Sequence, residues 1–156
     1  MAKIQIVAVL TMDGCLSELQ PKKRKSGCND YGIGALRAKA CFRVTPEYSI
    51  SMLAERRNRQ GDTVYLAEAD SDTADFINGM LRMRVVDEIA LYTLPQIAGT
   101  GKHLFQSALP KEEWKVVEHR LYDDGVVFTV YRTEKDLPCP SYRHLSCPNS
   151  EHVSGI

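Results

Sequence analysis

The chain has 156 residues, and its 20 Lys and Arg balance its 20 Asp and Glu, so the formal net charge at pH 7 is zero. This length favours one domain with its own core, and a composition that is 44% hydrophobic and 26% charged excludes a disordered or fibrous chain. A neutral chain does not indicate a nucleic acid or an anionic membrane as its partner, and no apolar run approaches the roughly 18 residues that a membrane-spanning helix needs.

The chain opens with residues 4–10, an almost continuous run of apolar and β-branched side chains. Such a run is typical of a strand covered on both faces, and Asp13-Gly14 follows it as a turn. The run is too short for a signal peptide, and no small-residue cleavage site follows it. The five cysteines are scattered and odd in number, which favours free thiols over a disulfide framework. We therefore expect a cytoplasmic protein.

The next elements alternate between helix and strand. The polar stretch 17–29 predicts an exposed loop, and a short helix at 31–40 is weakened by Gly32 and Gly34. The elements that follow are a short strand at 41–45, a helix at 49–60, a strand at 63–67, a helix that Ser71 or Asp72 caps, and a strand at 85–94. The last of these helices carries an apolar stripe made of Phe76, Ile77, Met80 and Leu81.

The final predicted element is an antiparallel hairpin. Two β-rich runs, 114–122 and 126–132, flank Asp123-Asp124-Gly125, and an Asp-Gly turn between such runs is a strong hairpin signal. Strands that alternate with helices and end in a hairpin predict a three-layer α/β domain with a mixed, mainly parallel central sheet. We assign this domain to residues 1–135 and expect residues 136–156 to form an irregular C-terminal tail.

Three segments of the chain carry a family resemblance. They are IVAVLTMDGCLS at the start, VVDEIALYTLPQIAGTGKHLF at residues 85–105, and the hairpin WKVVEHRLYDDGVVFTVYR. Their order and spacing resemble the dihydrofolate reductase-like family, in particular the reductase of riboflavin biosynthesis. The matching positions are Val86-Asp87-Glu88, Pro95, Gly99-Thr100-Gly101 and Leu104-Phe105. The resemblance covers residues 3–16 and 62–132.

The resemblance implies an NADPH-dependent reductase that transfers hydride to a pterin- or pyrimidine-like small molecule. The protein's part in such chemistry is to position the cofactor against the substrate. In this family the first strand gives backbone groups to the nicotinamide, and the Asp-Gly loop closes over the site. The resemblance also implies a possible homodimer. The implied catalytic residue is Asp13, and the implied cofactor-binding residues are Ala8, Val9, Gly14, Ser71, Asp72 and Thr73.

The segment 67–75 departs from the family pattern. It has no glycine, whereas the family has a Gly-Gly pair whose backbone N–H groups approach the pyrophosphate at a helix N-terminus. It holds four carboxylates instead, those of Glu68, Asp70, Asp72 and Asp75, and these repel a pyrophosphate. Asp70 and Asp72 would also cap the helix. The alternative function is a degenerate member that lacks hydride transfer and acts as a ligand-binding or interaction module.

Other charged and metal-ligating residues have simpler interpretations. The basic runs at 22–25 and 56–59 are typical of solvated faces, and residues 20–61 hold no clear equivalent of the family's turn for the 2′-phosphate. Asp87-Glu88 at a strand start is interpreted as a solvated or ion-paired strand end. No metal site is predicted in the tail, because its spacing lacks a Cys-x2-Cys knuckle. The tail residues concerned are Cys139, His144, Cys147 and His152.

Overall fold

The strand that opens the chain, Lys3–Leu10 (β1), lies at the centre of a six-stranded sheet. The computed structural model describes residues 2–19, 23–24, 27–28, 30–59 and 61–133. The remaining elements are β2 (Lys23–Arg24), β3 (Gly27–Cys28), α1 (Ile33–Lys39), β4 (Phe42–Arg43), α2 (Ile50–Arg57), β5 (Val64–Glu68), α3 (Ala74–Arg82), β6 (Glu88–Thr93), β7 (Trp114–Leu121) and β8 (Val127–Thr133).

The sheet is mixed, with strand order β4-β5-β1-β6-β8-β7. β1 pairs in parallel with β5 and with β6, and β4 pairs in parallel with β5. β8 is antiparallel to β6, and β7 is antiparallel to β8, so the predicted C-terminal hairpin is confirmed. The stretch 17–29, predicted as a loop, contains a second pairing, because β2 and β3 form a small antiparallel ladder.

Alternate residues of β1 pack on opposite faces of the sheet, because successive side chains of a strand point to opposite sides. Ile4, Ile6 and Ala8 belong to the core cluster that includes Leu53 of α2 and residues of α3. Val7 and Val9 belong to the other cluster, against which α1 packs. The helices therefore cover both faces, which explains the continuous apolar run and confirms the three-layer α/β prediction.

Ion pairs hold the start of β6, as the interpretation of Asp87-Glu88 predicted. The Asp87 carboxylate accepts a hydrogen bond from the Ile4 N–H at 2.9 Å and lies 2.6 Å from an Arg57 guanidinium nitrogen. Glu88 pairs with Lys3 at 2.9 Å and with Arg132 at 3.3 Å. Val85 and Val86 are buried but precede the strand, so the strand begins later than the predicted residue 85.

The predicted tail at 136–156, with its Cys and His residues, lies outside the described residues. Within the described residues, no helix combines the length and the apolar character that crossing a lipid bilayer requires.

Candidate functional site

A cleft opens where the connections after two neighbouring strands leave the sheet on opposite faces. β1 continues to α1 on one face, and β5 continues to α3 on the other. In open α/β sheets, ligands bind outside the carboxyl ends of the strands at such a point. A cavity of about 520 Å³ lies here, between Val7 to Val9 of β1, Glu68 to Asp70 after β5, and Tyr31 and Arg37.

A neighbouring cavity of about 550 Å³ extends the cleft towards β6 and β8. The two cavities share four lining residues, which are Ser17, Glu18, Leu19 and Tyr31. The second cavity reaches Leu94, Pro95 and Val126. We refer to both cavities together as the cleft. The volume of each cavity falls in the range of about 300–1,000 Å³ that is typical of small-molecule sites.

The β1 backbone presents Val9 to the cleft. The Val7 carbonyl accepts from the Ala69 N–H at 2.8 Å, whereas the Leu10 carbonyl accepts from the Leu94 N–H on the β6 side at 2.8 Å. Backbone groups alternate in this way along a strand, so those of Val9 point towards β5 and those of Ala8 towards β6. The β1–β5 pairing ends at Val7–Glu68, so the Val9 N–H lies past the last pair, at the edge of the cleft.

Tyr31 stands between the two cavities, and three other side chains fix it. Its hydroxyl donates to the Asp124 carboxylate, and its carbonyl accepts from the Tyr92 hydroxyl at 2.7 Å and from the Tyr122 hydroxyl at 2.8 Å. Burial raises the pKa of Tyr92, so its hydroxyl stays a donor at neutral pH. Tyr31 also has a backbone φ of 57°, which is uncommon for a residue with a side chain. Nothing in the sequence pattern pointed to Tyr31.

The turn between β5 and α3 closes on itself through Asp70 and Thr73. The Asp70 Oδ1 accepts hydrogen bonds from the Asp72 N–H at 2.8 Å and the Thr73 N–H at 2.9 Å. The Thr73 Oγ1 accepts from the Asp70 N–H at 2.9 Å and donates to the Glu68 carbonyl at 3.0 Å. The predicted cofactor residues Ser71, Asp72 and Thr73 therefore lie together at the start of α3.

The predicted cap of α3 by Ser71 or Asp72 is wrong. The N-cap is Thr73, and its side chain makes no capping hydrogen bond. The reason is that Asp70 takes the N–H groups of Asp72 and Thr73, so the turn runs further and the helix begins at Ala74.

Two of the four carboxylates in this segment are paired with cationic side chains. Glu68 lies 2.6 Å from Arg37 and 3.3 Å from Arg43. A hydrogen bond from Gln106, together with the nearby Lys102, lowers the pKa of Asp75. These two carboxylates therefore have cationic partners that come from distant segments of the chain. The same pairing also engages Arg37 and Arg43.

Asp13 and Gly14 lie in a different cluster, and neither lines the cleft. The Asp13 carboxylate accepts from the Ala98 N–H at 3.1 Å, from the Gly99 N–H at 2.9 Å and from the Thr11 hydroxyl. These bonds, with Thr11 the strongest, hold the pKa of Asp13 well below its ordinary range. Asp13 is therefore ionised at neutral pH and acts as an acceptor. Gly14 has a φ of 82°, which favours glycine.

Cys15 completes the Asp13 cluster. Its Sγ lies 3.7 Å from the Asp13 Oδ2 and 3.9 Å from the His103 Nε2. Burial, followed by the neighbouring Asp13 charge, raises the pKa of the thiol. Since the thiolate is the nucleophilic form, this arrangement does not activate Cys15.

A family model and solved structures relate the chain to known proteins. The model of the RibD C-terminal domain matches residues 36–128, which is more than half of the chain. No curated protein matches the sequence.

Solved structures share the fold at low sequence identity. A Shewanella sp. PV-4 protein assigned to riboflavin biosynthesis has a TM-score of 0.58 at 15% identity, over 85% of this chain and 99% of that one. Acinetobacter baumannii RibD has a TM-score of 0.54 at 10% identity, and the match covers 85% of this chain but 58% of that one. Dihydrofolate reductase from Enterococcus faecalis, complexed with NADP(H), has a TM-score of 0.53 at 8% identity, over 85% and 97% of the two chains.

At these identities the solved structures show only that the fold is shared. The family model shows the family to which the chain belongs. The dihydrofolate reductase match confirms the fold that the sequence resembles. The family model runs from within α1 to the start of β8 and includes the cleft residues that end β5 and those that follow β6. The chain therefore belongs to the RibD C-terminal domain family.

Proposed function

We propose that this chain is an NADPH-dependent reductase that transfers hydride to a pterin- or pyrimidine-like small molecule. The observation that carries the proposal is the position of the cleft. It lies at the carboxyl ends of β1 and β5, with the Val9 N–H on one side and the turn before α3 on the other. A dinucleotide that follows this edge would place its nicotinamide near Val9 and its diphosphate near Asp72 and Thr73.

The turn before α3 contains the donors that a diphosphate requires. Two successive N–H groups, those of Asp72 and Thr73, converge on one oxygen of Asp70. That carboxylate oxygen stands in for a phosphate oxygen, because successive backbone N–H groups at a helix start form an anion-binding nest. The residues present therefore fit the cofactor, provided that the Asp70 side chain moves aside.

When bound, NADPH supplies the hydride. The residues of the cleft would bind the cofactor and the substrate and orient them. Val7, Val9 and Val126 give apolar walls that exclude water from the reacting rings. The Tyr31–Asp124 pair places a polar edge between the two cavities, where it can orient a ring that carries N–H groups. Asp13 lies outside the cleft, so its contact with the substrate stays a prediction, and its ionised carboxylate would accept a hydrogen bond rather than donate a proton.

Titration of NADPH, followed by nicotinamide fluorescence, tests the proposal. The expected result is saturable binding in the micromolar range, and consumption of the reduced nicotinamide on addition of an oxidised pterin or an aminopyrimidine substrate. Tyr31→Phe keeps the ring and removes the hydroxyl, so we expect it to weaken substrate binding more than NADPH binding. Absence of binding at millimolar NADPH would contradict the proposal.

The Asp70 contact favours a second candidate function. A turn whose donors are already occupied suits a family member that binds a small molecule and does not transfer hydride. Such a protein would bind a pterin or pyrimidine in the cleft without consuming NADPH. The same titration separates the two functions, because only the reductase consumes the reduced nicotinamide.

A homodimer is a further part of the proposal. β7 is an edge strand, and its exposed side chains include Val116, Val117 and Leu121. Exposed apolar edge strands tend to pair with another chain. Light scattering at several protein concentrations would show a particle of twice the monomer mass if the proposal is correct and a monomer if it is not.

A further inference from the structure

We infer that Asp13 is a positioning residue, which sets the shape of the second cavity of the cleft by fixing the loop at residues 94–99. The inference rests on the proposed function, since it takes the second cavity as the place of the substrate, next to a cofactor that lies along β1 and β5. It goes beyond that function because it gives Asp13 a role that needs no contact with the substrate.

Hydrogen bonds from the turn after β1 hold the far end of this loop. The Asp13 Oδ1 accepts from the Ala98 N–H at 3.1 Å, and its Oδ2 accepts from the Gly99 N–H at 2.9 Å. The Met12 N–H donates to the Gln96 carbonyl at 2.8 Å. Since the two carboxylate oxygens take two successive N–H groups, they fix the direction of the loop as well as its position.

The near end of the same loop forms part of the wall of the second cavity. Its lining residues there are Leu94, Pro95 and Gln96. One residue, Ile97, separates Gln96 from Ala98, whose N–H group Asp13 holds. A shift of the Asp13 anchor would therefore move the wall of the cavity.

Pro95 connects this wall to the opposite one. A Cβ added to Gly125 would lie 3.2 Å from the Pro95 Cγ, so the turn between β7 and β8 packs directly against the proline ring. Asp124, next to Gly125 in this turn, accepts a hydrogen bond from the Tyr31 hydroxyl. Both Asp124 and Tyr31 line the second cavity. Contacts thus lead from the 94–99 loop to the polar edge that we propose for orienting the substrate.

The contacts of Asp13 favour positioning over direct contact with a substrate. Asp13 lines neither cavity, and each of its carboxylate oxygens already accepts a hydrogen bond. Oδ1 accepts from the Thr11 hydroxyl and the Ala98 N–H, and Oδ2 accepts from the Gly99 N–H. These donors belong to the two segments that Asp13 joins, so the carboxylate serves their relative position.

Amide NMR spectra of the ligand-free, ¹⁵N-labelled protein test the chain of contacts. Asp13→Asn replaces one acceptor oxygen with an NH₂ group, which cannot accept from a backbone N–H. We expect this substitution to shift the amide signals of Gln96, Gly125 and Tyr31, although none of these residues is bonded to Asp13. Shifts confined to residues 98 and 99 would overturn the inference.

Three further variants separate this chain of contacts from a general loss of stability. Pro95→Ala removes the ring that contacts the β7–β8 turn, so Asp13→Asn in that background should no longer move the Tyr31 signal. Arg57→Ala breaks an ion pair at the opposite end of β6, and Asp62→Asn removes an exposed charge just before β5. Both should leave the Tyr31 signal in place. A Tyr31 shift of equal size in Arg57→Ala would contradict the inference.

Ligand binding gives the second readout. In calorimetric titrations with an oxidised pterin and with NADPH, each as a separate ligand, we expect Asp13→Asn to weaken pterin binding about fivefold. NADPH affinity should stay unchanged, since the cofactor lies along β1 and β5. A general loss of folded structure would weaken both ligands alike, so an equal loss for both would overturn the inference.

The outcomes distinguish the inference from the proposed function. Pterin binding that Asp13→Asn weakens, without any NADPH binding, would support the inference and overturn the reductase. If neither ligand binds, the proposed function fails, and the NMR shifts still decide whether Asp13 sets the shape of the cavity. Thermal unfolding checks that each variant folds. Asp13→Glu, which keeps the charge and moves it by one methylene group, replaces Asp13→Asn if the asparagine variant does not fold.

Discussion

The Asp13 carboxylate accepts a hydrogen bond from the Gly99 N–H at 2.9 Å, which ties the turn after β1 to the loop after β6. The Ala98 N–H donates to the other carboxylate oxygen at 3.1 Å. Asp13 therefore joins two segments that are far apart in the sequence and that meet at the carboxyl ends of neighbouring strands. The hydrogen bonds from Thr11, Ala98 and Gly99 explain the low pKa of Asp13, and no ligand is needed to account for it.

We predict that Asp13 stabilises the fold in a pH-dependent way. Its pKa is lower in the folded protein than in the unfolded chain, so its contribution is complete above the ordinary carboxylate pKa of about 4 and is lost as the pH falls through the folded value. Asp13→Asn should therefore lower the urea midpoint at pH 7, and the difference from the native protein should shrink below about pH 4. A difference that stays constant down to acid pH would contradict this account. Asp62→Asn serves as the exposed control.

The Arg57–Asp87 pair gives a prediction about stability. Asp87 is 4% exposed and Arg57 is 17% exposed, and their closest atoms lie 2.6 Å apart. Arg57→Ala leaves the Asp87 charge without this cation, so we expect the free energy of unfolding to fall by about 3 kcal/mol. Urea denaturation measures the change. Arg59→Ala, at an exposed position two residues later, should change it by less than about 0.5 kcal/mol.

The two tyrosines that donate to the Tyr31 carbonyl should act together. Tyr92→Phe or Tyr122→Phe removes one donor and leaves the other, so each should cost about 1 kcal/mol. The double variant leaves the Tyr31 carbonyl without both donors and should cost more than the sum of the two. A double-mutant cycle in urea measures this coupling. Strict additivity would show that the two hydroxyls act independently.

Much of the fold is predictable because it depends on local patterns. The apolar run of β1 predicted a strand covered on both faces, and Asp123-Asp124-Gly125 predicted the hairpin of β7 and β8. The family match at 36–128 also includes residues 36–61, where the sequence resemblance was weak. That region keeps the order α1, β4 and α2 without a recognisable motif.

The site is less predictable because its contacts join distant residues. Tyr31 is fixed by residues 92, 122 and 124, and Glu68 is neutralised by Arg37 and Arg43. Composition and periodicity contain no signal for such pairs. The sequence did indicate that the turn at 68–75 is unusual, since it lacks glycine, but only the structure shows that Asp70 occupies the N–H donors.

The most direct test of the central claim is an amide NMR titration of ¹⁵N-labelled protein with NADPH. The claim is that a nicotinamide dinucleotide lies along the carboxyl ends of β1 and β5. It predicts saturable shifts of the Val9, Asp72 and Thr73 amide signals, with little change in β7, at the far edge of the sheet. Shifts confined to other regions, or no shifts at saturating NADPH, would contradict it.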